Sequence, residues 1–306
     1  MIANRLKYGD TIGVVSPAGP EYPDKIKESL KYIESLGFNI KEGKHIYRKL
    51  GYLAGSDKER CEDILNMFSD TNVDMILCVR GGYGTMRILP NIDFSIIQQN
   101  PKIFAGFSDI TTFLNAIYQK CGLITFHSPM CNSNLSDKFT LDSFLSTLMN
   151  GYKPYIIKNP NNIPTKCFSS KESVSGQLIG GNLSLICGTI GTPFEINTKD
   201  KIIFIEEVDE EPYKIDRLLT QLLLSGKLNE CSGIILGQFT NCGLPHYKRS
   251  FTLEEVIKDR ILSLDKPTIT NLQSGHSYPK LTLPIGANIR MNCIDGIIEV
   301  LEPILA

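Results

Sequence analysis

The stretch 103-IFAGFSDITTFLNA-116 begins as an apolar strand and continues as an amphipathic helix, with a tight corner between the two. Ser108 lies in that corner and has two interpretations. Serine is a preferred helix N-cap, and Asp109 favours the positive end of a helix. Alternatively, a sharp strand-to-helix turn lifts a nucleophilic hydroxyl clear of the sheet and directs the next backbone N–H to where an oxyanion forms. The motif G-x-S-x-G is not matched, because Ile110 follows two residues later, so both interpretations stay open.

On both sides of this corner, from TIGVVSPAGP (11–20) to LITFHSPM (123–130), short apolar runs alternate with segments whose apolar residues recur at helical spacing. This alternation predicts βαβ units around a parallel sheet. Ser56 to Glu59 forms a capping box, which predicts the start of a helix that buries Ile64, Leu65 and Phe68. Another apolar strand runs into RGGYG (80–84), so two tight corners end successive strands. Open α/β folds hold their sites at such strand ends.

The composition changes at residues 151–172, which are rich in Asn, Pro and Lys and lack a sustained hydrophobic periodicity. We interpret this segment as a linker between an N-terminal α/β domain (1–150) and a C-terminal domain (173–306). The second half mixes strand and helix patterns, and Asp295-Gly296 predicts a hairpin. The predicted fold class is α/β, with a parallel-sheet, Rossmann/flavodoxin-like domain followed by a smaller, β-rich mixed α/β domain.

Composition narrows the classes of partner and the cellular compartment. The formal net charge is −1, from 32 basic and 33 acidic residues, which gives no electrostatic case for nucleic acid or an anionic membrane. The nine cysteines are odd in number and show no C-x-x-C pair, which is typical of buried thiols in a reducing compartment. No export signal or membrane-span pattern is present. We therefore expect a cytoplasmic protein.

The glycines of RGGYG permit positive φ and a close backbone approach to a ligand. The segment can be a plain tight turn, a phosphate cradle or a donor of the second amide of an oxyanion hole. Neither G-x-G-x-x-G nor G-x-x-x-x-G-K-[ST] is present, which weakens the phosphate interpretation.

A serine nucleophile needs a base and an orienting acid. The chain contains four histidines: His45, His127, His246 and His276. His276 lies in an expected exposed loop, where a histidine is most often only solvated. The strand IIFI (202–205) delivers Glu206 and Glu207, and strand alternation sends their side chains to opposite faces, so at most one can enter a site. No His or Cys spacing supports a metal.

Six motifs occur in one order along the chain: GVVSPAGP, RGGYG, GFSD, GGNLSLICGTIGTP, EEVDEEPYKIDRLL and GHSYPKLTLPIGA. As an ordered set they resemble the serine LD-carboxypeptidases, which include the muramoyltetrapeptide carboxypeptidases and the related microcin C self-immunity peptidases. The resemblance implies that Ser108 is the nucleophile, that Glu206 orients the histidine and that His276 is the general base. The family usually has Glu-Asp where this chain has Glu206-Glu207.

The resemblance also implies a mechanism and a substrate. The amides of Gly82 and Asp109 would hold the oxyanion of an acyl transfer that needs neither metal nor cofactor. The expected substrate is a cytoplasmic muropeptide tetrapeptide that loses its terminal D-alanine during wall recycling, and the expected assembly is a homodimer. Arg80 and Asn182 are candidates for binding the substrate's carboxylate.

Two other functions fit the sequence less well. The same triad can cleave acyl-sulfamoyl adenylates, as in the microcin immunity branch, but the chain has no Trp to stack on adenine. A non-catalytic nucleotide- or ligand-binding α/β protein would use RGGYG to grip a phosphate and Ser108 only as a cap.

Overall fold

The alternating pattern of the first half forms five strands of a six-stranded sheet, and a late strand, Leu283–Ile285, is the sixth. The strand order is β12-β5-β4-β3-β1-β2. The structure is a computed structural model that describes residues 1–169, 171–243 and 250–306. Five strands run parallel, and β12 pairs antiparallel with β5 at one edge. The strands are β1 (Thr11–Val15), β2 (Asn39–Glu42), β3 (Met75–Cys78), β4 (Ile103–Gly106), β5 (Thr125–His127) and β12 (Leu283–Ile285).

This sheet belongs to a first compact unit, which comprises Met1–Lys153, Thr282–Gly286 and Pro303–Ala306. Its helices are α1 (Pro23–Ser35), α2 (Asp57–Ser69), α3 (Thr85–Ile88), α4 (Phe94–Gln99), α5 (Thr111–Cys121) and α6 (Lys138–Asn150), with 3₁₀ turns at Leu89–Asn91 and Ser108–Ile110. Phe104 of β4 lies with its ring centroid 5.9 Å from that of Phe68 and 5.7 Å from that of Phe113. Each such buried ring contributes about 1.5–3 kcal/mol, which fixes α2 and α5 against the sheet.

The helix starts of this unit follow the sequence closely. The predicted capping box is confirmed, because the Ser56 side chain accepts from the Glu59 N–H and the Glu59 side chain accepts from the Ser56 N–H. Ile64 and Phe68 are buried as expected, but Leu65 is only half-buried. Met67 fills the core instead, since it follows Ile64 by three positions on the same helical face.

The second unit comprises Pro154–Leu281 and Ala287–Glu302 and contains an eight-stranded sheet in the order β6-β14-β13-β8-β9-β10-β11-β7. The four strands β8, β9, β10 and β11 are parallel, and antiparallel strands flank them on both sides. The strands are β6 (Tyr155–Ile157), β7 (Lys166–Phe168), β8 (Ser173–Asn182), β9 (Ile202–Val208), β10 (Gly233–Thr240), β11 (Thr268–Thr270), β13 (Asn288–Asn292) and β14 (Ile297–Val300). Its helices are α7 (Leu183–Gly188), α8 (Pro212–Leu224), α9 (Lys227–Glu230) and α10 (Leu253–Arg260), with a 3₁₀ turn at Leu262–Leu264.

Two features of this unit bear on the sequence expectations. The hairpin at Asp295-Gly296 is confirmed, because β13 and β14 pair antiparallel on either side of it. The segment 151–172, which we expected to be a linker, instead contains the two edge strands of the sheet, β6 and β7. These strands have three residues each and partly exposed faces, so they lack the apolar alternation that marks a longer strand.

All nine cysteines are free thiols, seven of them buried and two, Cys167 and Cys293, half-buried. Across the described ranges, no helix combines the length and the apolar character that a membrane crossing requires.

Candidate active site

The corner after β4 holds Ser108 in an unusual backbone conformation. Ser108 has φ = 65°, in the left-handed region that a side-chain-bearing residue adopts at a cost of about 1–3 kcal/mol. It does not cap a helix, because Phe107 precedes the 3₁₀ turn, Ile110 precedes α5, and neither position makes a side-chain capping bond. The N-cap interpretation of Ser108 is therefore excluded, and a nucleophile held at a strained turn stays the prediction for this residue.

The glycine loop RGGYG lies directly against this corner, because β3 and β4 are neighbouring parallel strands. A Cβ atom on Gly81 would lie 2.8 Å from the Ser108 Cβ and 2.9 Å from its Oγ. Gly81 does not have positive φ, so glycine is required here for space and not for backbone freedom. Gly82, predicted to donate an oxyanion amide, follows with φ = 119°.

Gly81→Ala should therefore lower kcat/KM by about a hundredfold or more and the free energy of unfolding by about 1–3 kcal/mol, the range for an overpacked site. The added methyl group meets Ser108 Cβ, which the backbone holds in place, so the nucleophile must shift. The measurement is steady-state kinetics beside chemical denaturation.

The matched control is Gly243→Ala, since Gly243 also lacks positive φ and no atom of the described residues lies within 4 Å of the position that a Cβ atom would occupy. It should leave both quantities unchanged. Wild-type turnover by Gly81→Ala would show that the clearance beside Ser108 has no role.

Asp109 joins the serine corner to the glycine loop. Its buried carboxylate accepts the Thr85 N–H at 2.9 Å, and its backbone carbonyl accepts the Thr85 hydroxyl at 2.6 Å. Burial raises the pKa of the Asp109 carboxyl, and the hydrogen bonds from Thr85 oppose that rise. The side chain thus fixes the position of its own amide, the one predicted to donate to an oxyanion.

A second support for this corner, Arg60, was not anticipated from the sequence. Its side chain is fully buried on α2 and donates to the carbonyl of Gly84 at 2.8 Å and to that of Pro17. It also pairs with Asp57 at 2.5 Å. The sequence did contain a signal for the burial of Arg60, because this residue precedes Ile64 by four positions and so shares the buried face of α2.

In the second unit, His276 and Glu206 form a buried pair. The His276 Nδ1 and the Glu206 Oε2 are 2.7 Å apart, the Glu206 side chain is fully buried and the His276 side chain is 16% exposed. The histidine that we expected in an exposed loop is therefore largely covered. A carboxylate on Nδ1 fixes the ring and the tautomer in which Nε2 can accept a proton.

The loop that carries His276 is held by Gln238 of β10, a residue that stands in none of the sequence motifs. The Gln238 Oε1 accepts the Ser277 N–H at 2.8 Å, and its Nε2 donates to the Pro279 carbonyl at 3.1 Å. Gly275 has φ = 145°, and a Cβ there would lie 2.9 Å from Gln238 Cβ and 3.1 Å from Glu206 Oε2. Glycine lets the histidine loop approach the acid.

The neighbouring acid, Glu207, has other partners. Its carboxylate accepts from Asn182 Nδ2 at 2.8 Å, from the Ser184 N–H at 2.9 Å and from the Ser184 hydroxyl at 2.7 Å. Burial raises its pKa, against the effect of these donors. Asn182, a candidate for substrate binding, is buried and caps α7 by accepting from Leu185 N–H. Both side chains therefore stabilise the start of α7.

The remaining candidates contact other groups. Arg80 is part-exposed, donates to the Pro20 carbonyl at 3.3 Å and lies 3.8 Å from the Glu21 carboxylate. His45 is buried against Asp63 at 2.9 Å, and His127 is fully buried in β5. His246 lies outside the described residues. In the part of the chain that the structure describes, no group of three or more His, Cys, Asp or Glu side chains is arranged to hold a metal ion.

The structure thus brings Ser108, Asp109 and the glycine loop together in the first unit, and Glu206 and His276 together in the second. A strained serine with clearance beside it suits nucleophilic attack, and a histidine fixed by a carboxylate suits general base catalysis.

Comparison with known proteins links these clusters to a family. Residues 12–128 match the LD-carboxypeptidase N-terminal domain, and residues 175–291 match the LD-carboxypeptidase C-terminal domain. A probable murein peptide carboxypeptidase of Bacillus subtilis is 43% identical over 94% of this chain and 90% of its own length.

Two solved structures are also similar. The microcin C7 self-immunity protein MccF in complex with aspartyl sulfamoyl adenosine gives a TM-score of 0.92 at 26% identity, with 100% of each chain covered. A muramoyltetrapeptide carboxypeptidase from Oxalobacter formigenes gives 0.83 at 27% identity, covering 94% of this chain and 97% of the other.

Proposed function

Because this chain belongs to the LD-carboxypeptidase family and is a carboxypeptidase hydrolase of the serine type, we propose that it releases the terminal D-alanine of muropeptide tetrapeptides. The names of its relatives support this substrate class, since they include a murein peptide and a muramoyltetrapeptide carboxypeptidase. A non-catalytic ligand-binding role, in which Ser108 is only a cap, loses its basis because Ser108 caps no helix.

In this proposal Ser108, His276 and Glu206 act as one catalytic triad. With the His276 Nδ1 engaged by Glu206, Nε2 takes the Ser108 proton as the hydroxyl attacks the scissile carbonyl. Glu206 stabilises the imidazolium that forms, and His276 then protonates the departing amine of D-alanine. Water, activated by the same histidine, releases the acyl-enzyme as tripeptide.

We propose that the amides of Asp109 and Gly82 hold the oxyanion. One such donor supplies on the order of 3 kcal/mol of transition-state stabilisation in other acyl transferases. The bond from Thr85 to the Asp109 carboxylate supports this role, because it ties the serine corner to the loop that contains Gly82. For the terminal carboxylate of the substrate we propose Arg80, whose guanidinium is part-exposed. Asn182 is engaged with Glu207, and we assign it a structural role.

The observation that carries the proposal is the buried 2.7 Å pair of His276 and Glu206. The test is incubation of the protein with muramoyl tetrapeptide beside an all-L control peptide, followed by mass detection of the products. We expect tripeptide and free D-alanine from the first substrate alone. Equal cleavage of the all-L peptide would contradict LD selectivity, and no cleavage of either would contradict the carboxypeptidase proposal.

A second substrate class belongs in the same assay, because the TM-score is higher to the microcin immunity protein than to the muramoyltetrapeptide carboxypeptidase. Aspartyl sulfamoyl adenosine is the appropriate probe, since it is the ligand in that structure. The chain has no Trp for stacking on adenine, so we expect slower turnover of the adenosine compound than of the tetrapeptide. The opposite order would favour the immunity function.

We further propose that the enzyme acts in the cytoplasm as a homodimer, without nucleic acid. The balanced charge and the reduced cysteines support the location and the absence of nucleic acid, and the family resemblance supports the dimer. Light scattering after size-exclusion chromatography tests the dimer directly.

A further inference from the structure

Two tyrosines of the first unit form an exposed pair. Tyr52 is 66% exposed and Tyr83 is 45% exposed, and their ring centroids lie 5.6 Å apart with the ring planes at 67°. Folding gains little from rings left so open to water, because the hydrophobic contribution scales with the apolar area that is buried. Adjacent exposed apolar groups, unlike scattered ones, mark a binding surface. We call Tyr52 and Tyr83 the tyrosine shelf.

The backbone beneath the tyrosine shelf is fixed. Leu50 and Leu53 exchange backbone hydrogen bonds at 2.8 and 3.0 Å, which closes the turn that carries the first ring. Gly84 follows the second ring, and its carbonyl accepts from the buried Arg60 side chain at 2.8 Å. The two turns also touch, since a Cβ atom on Gly84 would lie 2.6 Å from Leu53 Cδ2. Both rings are therefore presented by ordered turns, and binding does not have to order them.

The tyrosine shelf adjoins the proposed nucleophile. Tyr83 belongs to RGGYG, two residues after Gly81, where a Cβ atom would lie 2.8 Å from the Ser108 Cβ. Two Cα–Cα steps place the Tyr83 Cα at most about 7.6 Å from the Gly81 Cα, and three residues of extended peptide span about 10–11 Å. A group that precedes three peptide residues can therefore reach the shelf while Ser108 meets the scissile carbonyl.

The chemistry of the shelf suits a neutral group with one apolar face. A tyrosine combines an apolar ring with a polar hydroxyl. A pyranose sugar likewise combines an apolar C–H face with a rim of hydroxyls. A phosphate would need a cation, but Arg87, on the helix after this loop, is already paired with Asp57 at 3.0 Å. In the proposed substrate the muramoyl sugar is neutral, because its lactyl carboxyl group forms the amide bond to the peptide.

We propose that the tyrosine shelf is the subsite for the muramoyl sugar of the substrate. This inference rests on the proposed function, because it names a subsite for the substrate proposed there. Three peptide residues separate the sugar from the bond that releases D-alanine, which matches the reach from Ser108 to the shelf. The sugar contact is the same in the ground state and the transition state, so its benefit falls on KM and not on kcat.

The first test measures binding without turnover. The chain has no Trp, so Tyr52→Trp introduces a single indole whose fluorescence reports on the shelf alone. The probe is N-acetylmuramoyl dipeptide, beside the same dipeptide without the sugar. We expect a saturable change of emission with the muramoyl dipeptide and none with the free dipeptide. No change with either probe, or equal changes with both, would overturn the sugar subsite.

Tyr8→Trp is the matched control for this titration. Tyr8 is also 66% exposed and also pairs with an aromatic ring, since its centroid lies 5.7 Å from that of Phe38. It precedes β1, so it lies at the opposite edge of the parallel sheet from the corners that follow β3 and β4. Its emission should respond to neither probe. A response equal to that of Tyr52→Trp would indicate non-specific binding and would overturn the proposal.

The second test compares kcat/KM for D-alanine release from muramoyl tetrapeptide and from the same tetrapeptide without the sugar. The wild-type ratio should be well above one. Tyr52→Ala and Tyr83→Ala should each lower this ratio about threefold to tenfold through KM, the factor for loss of one ring contact. Damage to the serine corner lowers both values equally, so a wild-type ratio in both variants would contradict the subsite. Tyr8→Ala should keep the wild-type ratio.

The outcomes separate the two proposals. A wild-type protein that releases no D-alanine would contradict the proposed function, while the fluorescence titration would still decide whether the shelf binds the sugar. A wild-type protein that releases D-alanine equally well from both tetrapeptides would overturn the sugar subsite alone. Light scattering of Tyr52→Ala tests a different role for the rings, since loss of a dimer in this variant would assign them to a protein interface and overturn the subsite.

Discussion

Ser108→Ala should reduce D-alanine release by about 10⁴-fold to 10⁶-fold, the loss seen when a serine hydrolase loses its nucleophile. The free energy of unfolding should stay within about 1 kcal/mol of wild type. The reason for this separation is structural: the hydroxyl makes no helix-capping bond, so its removal takes away the proposed nucleophile and little else. The measurement is single-turnover mass detection of tripeptide beside chemical denaturation.

A companion variant, Ser108→Gly, tests the strain at the same position. Ser108 has φ = 65°, and glycine adopts that conformation without the penalty of a Cβ atom. Ser108→Gly should therefore be as inactive as Ser108→Ala yet about 1 kcal/mol more stable. Full activity in either variant would refute the nucleophile, and a loss of stability well above 2 kcal/mol in Ser108→Ala would return the residue to a structural role.

The sequence predicted the first sheet because its signals are local. A strand of four buried residues followed by a glycine or serine corner specifies each βα unit, as at β3 and β4. The edge strands β6 and β7 were not predicted, since each has only three residues and obtains its stability from pairing with β14 and β11. Pairing with a strand more than 90 residues away does not require a hydrophobic alternation that could be recognised in a three-residue segment.

The strand β12 shows the same limit more clearly. Leu283–Ile285 has only three residues, and one of them is a proline. It pairs with β5 in the first sheet, although the residues before Thr282 belong to the second unit. An edge position tolerates the missing N–H of Pro284. Only the folded chain shows that this late segment returns to a sheet formed by residues 11 to 127.

At the site, residue type and order suggested the proposed reacting groups but not the residues that support them. Ser108, Glu206 and His276 stand in motifs that resemble a known family, and the structure pairs two of them at 2.7 Å. Arg60 and Gln238 stand in no motif. Their roles arise from tertiary packing, where a buried guanidinium and a half-buried amide satisfy backbone groups of loops that are distant in sequence.

The adjacent acids of β9 provide the second large expected effect. Glu206→Gln should lower kcat by about 10³-fold to 10⁴-fold, as does the loss of the orienting carboxylate in other serine hydrolases. The glutamine is nearly the same size, but it carries no charge to stabilise the imidazolium of His276. Glu207→Gln should keep kcat within about tenfold of wild type, because the carboxylate of Glu207 contacts Asn182 and Ser184 instead of His276.

Stability should rank the two variants in the opposite order. The two carboxylate oxygens of Glu207 accept from three donors of Asn182 and Ser184. A glutamine side chain has one acceptor oxygen and a donor NH₂ group, so it cannot accept all three hydrogen bonds. Glu207→Gln should therefore lower the free energy of unfolding by about 1–3 kcal/mol. If Glu207→Gln proves the less active variant, the orienting role passes to Glu207, and the bond between His276 and Glu206 must then serve the fold, because two neighbouring residues of one strand cannot both face the same histidine.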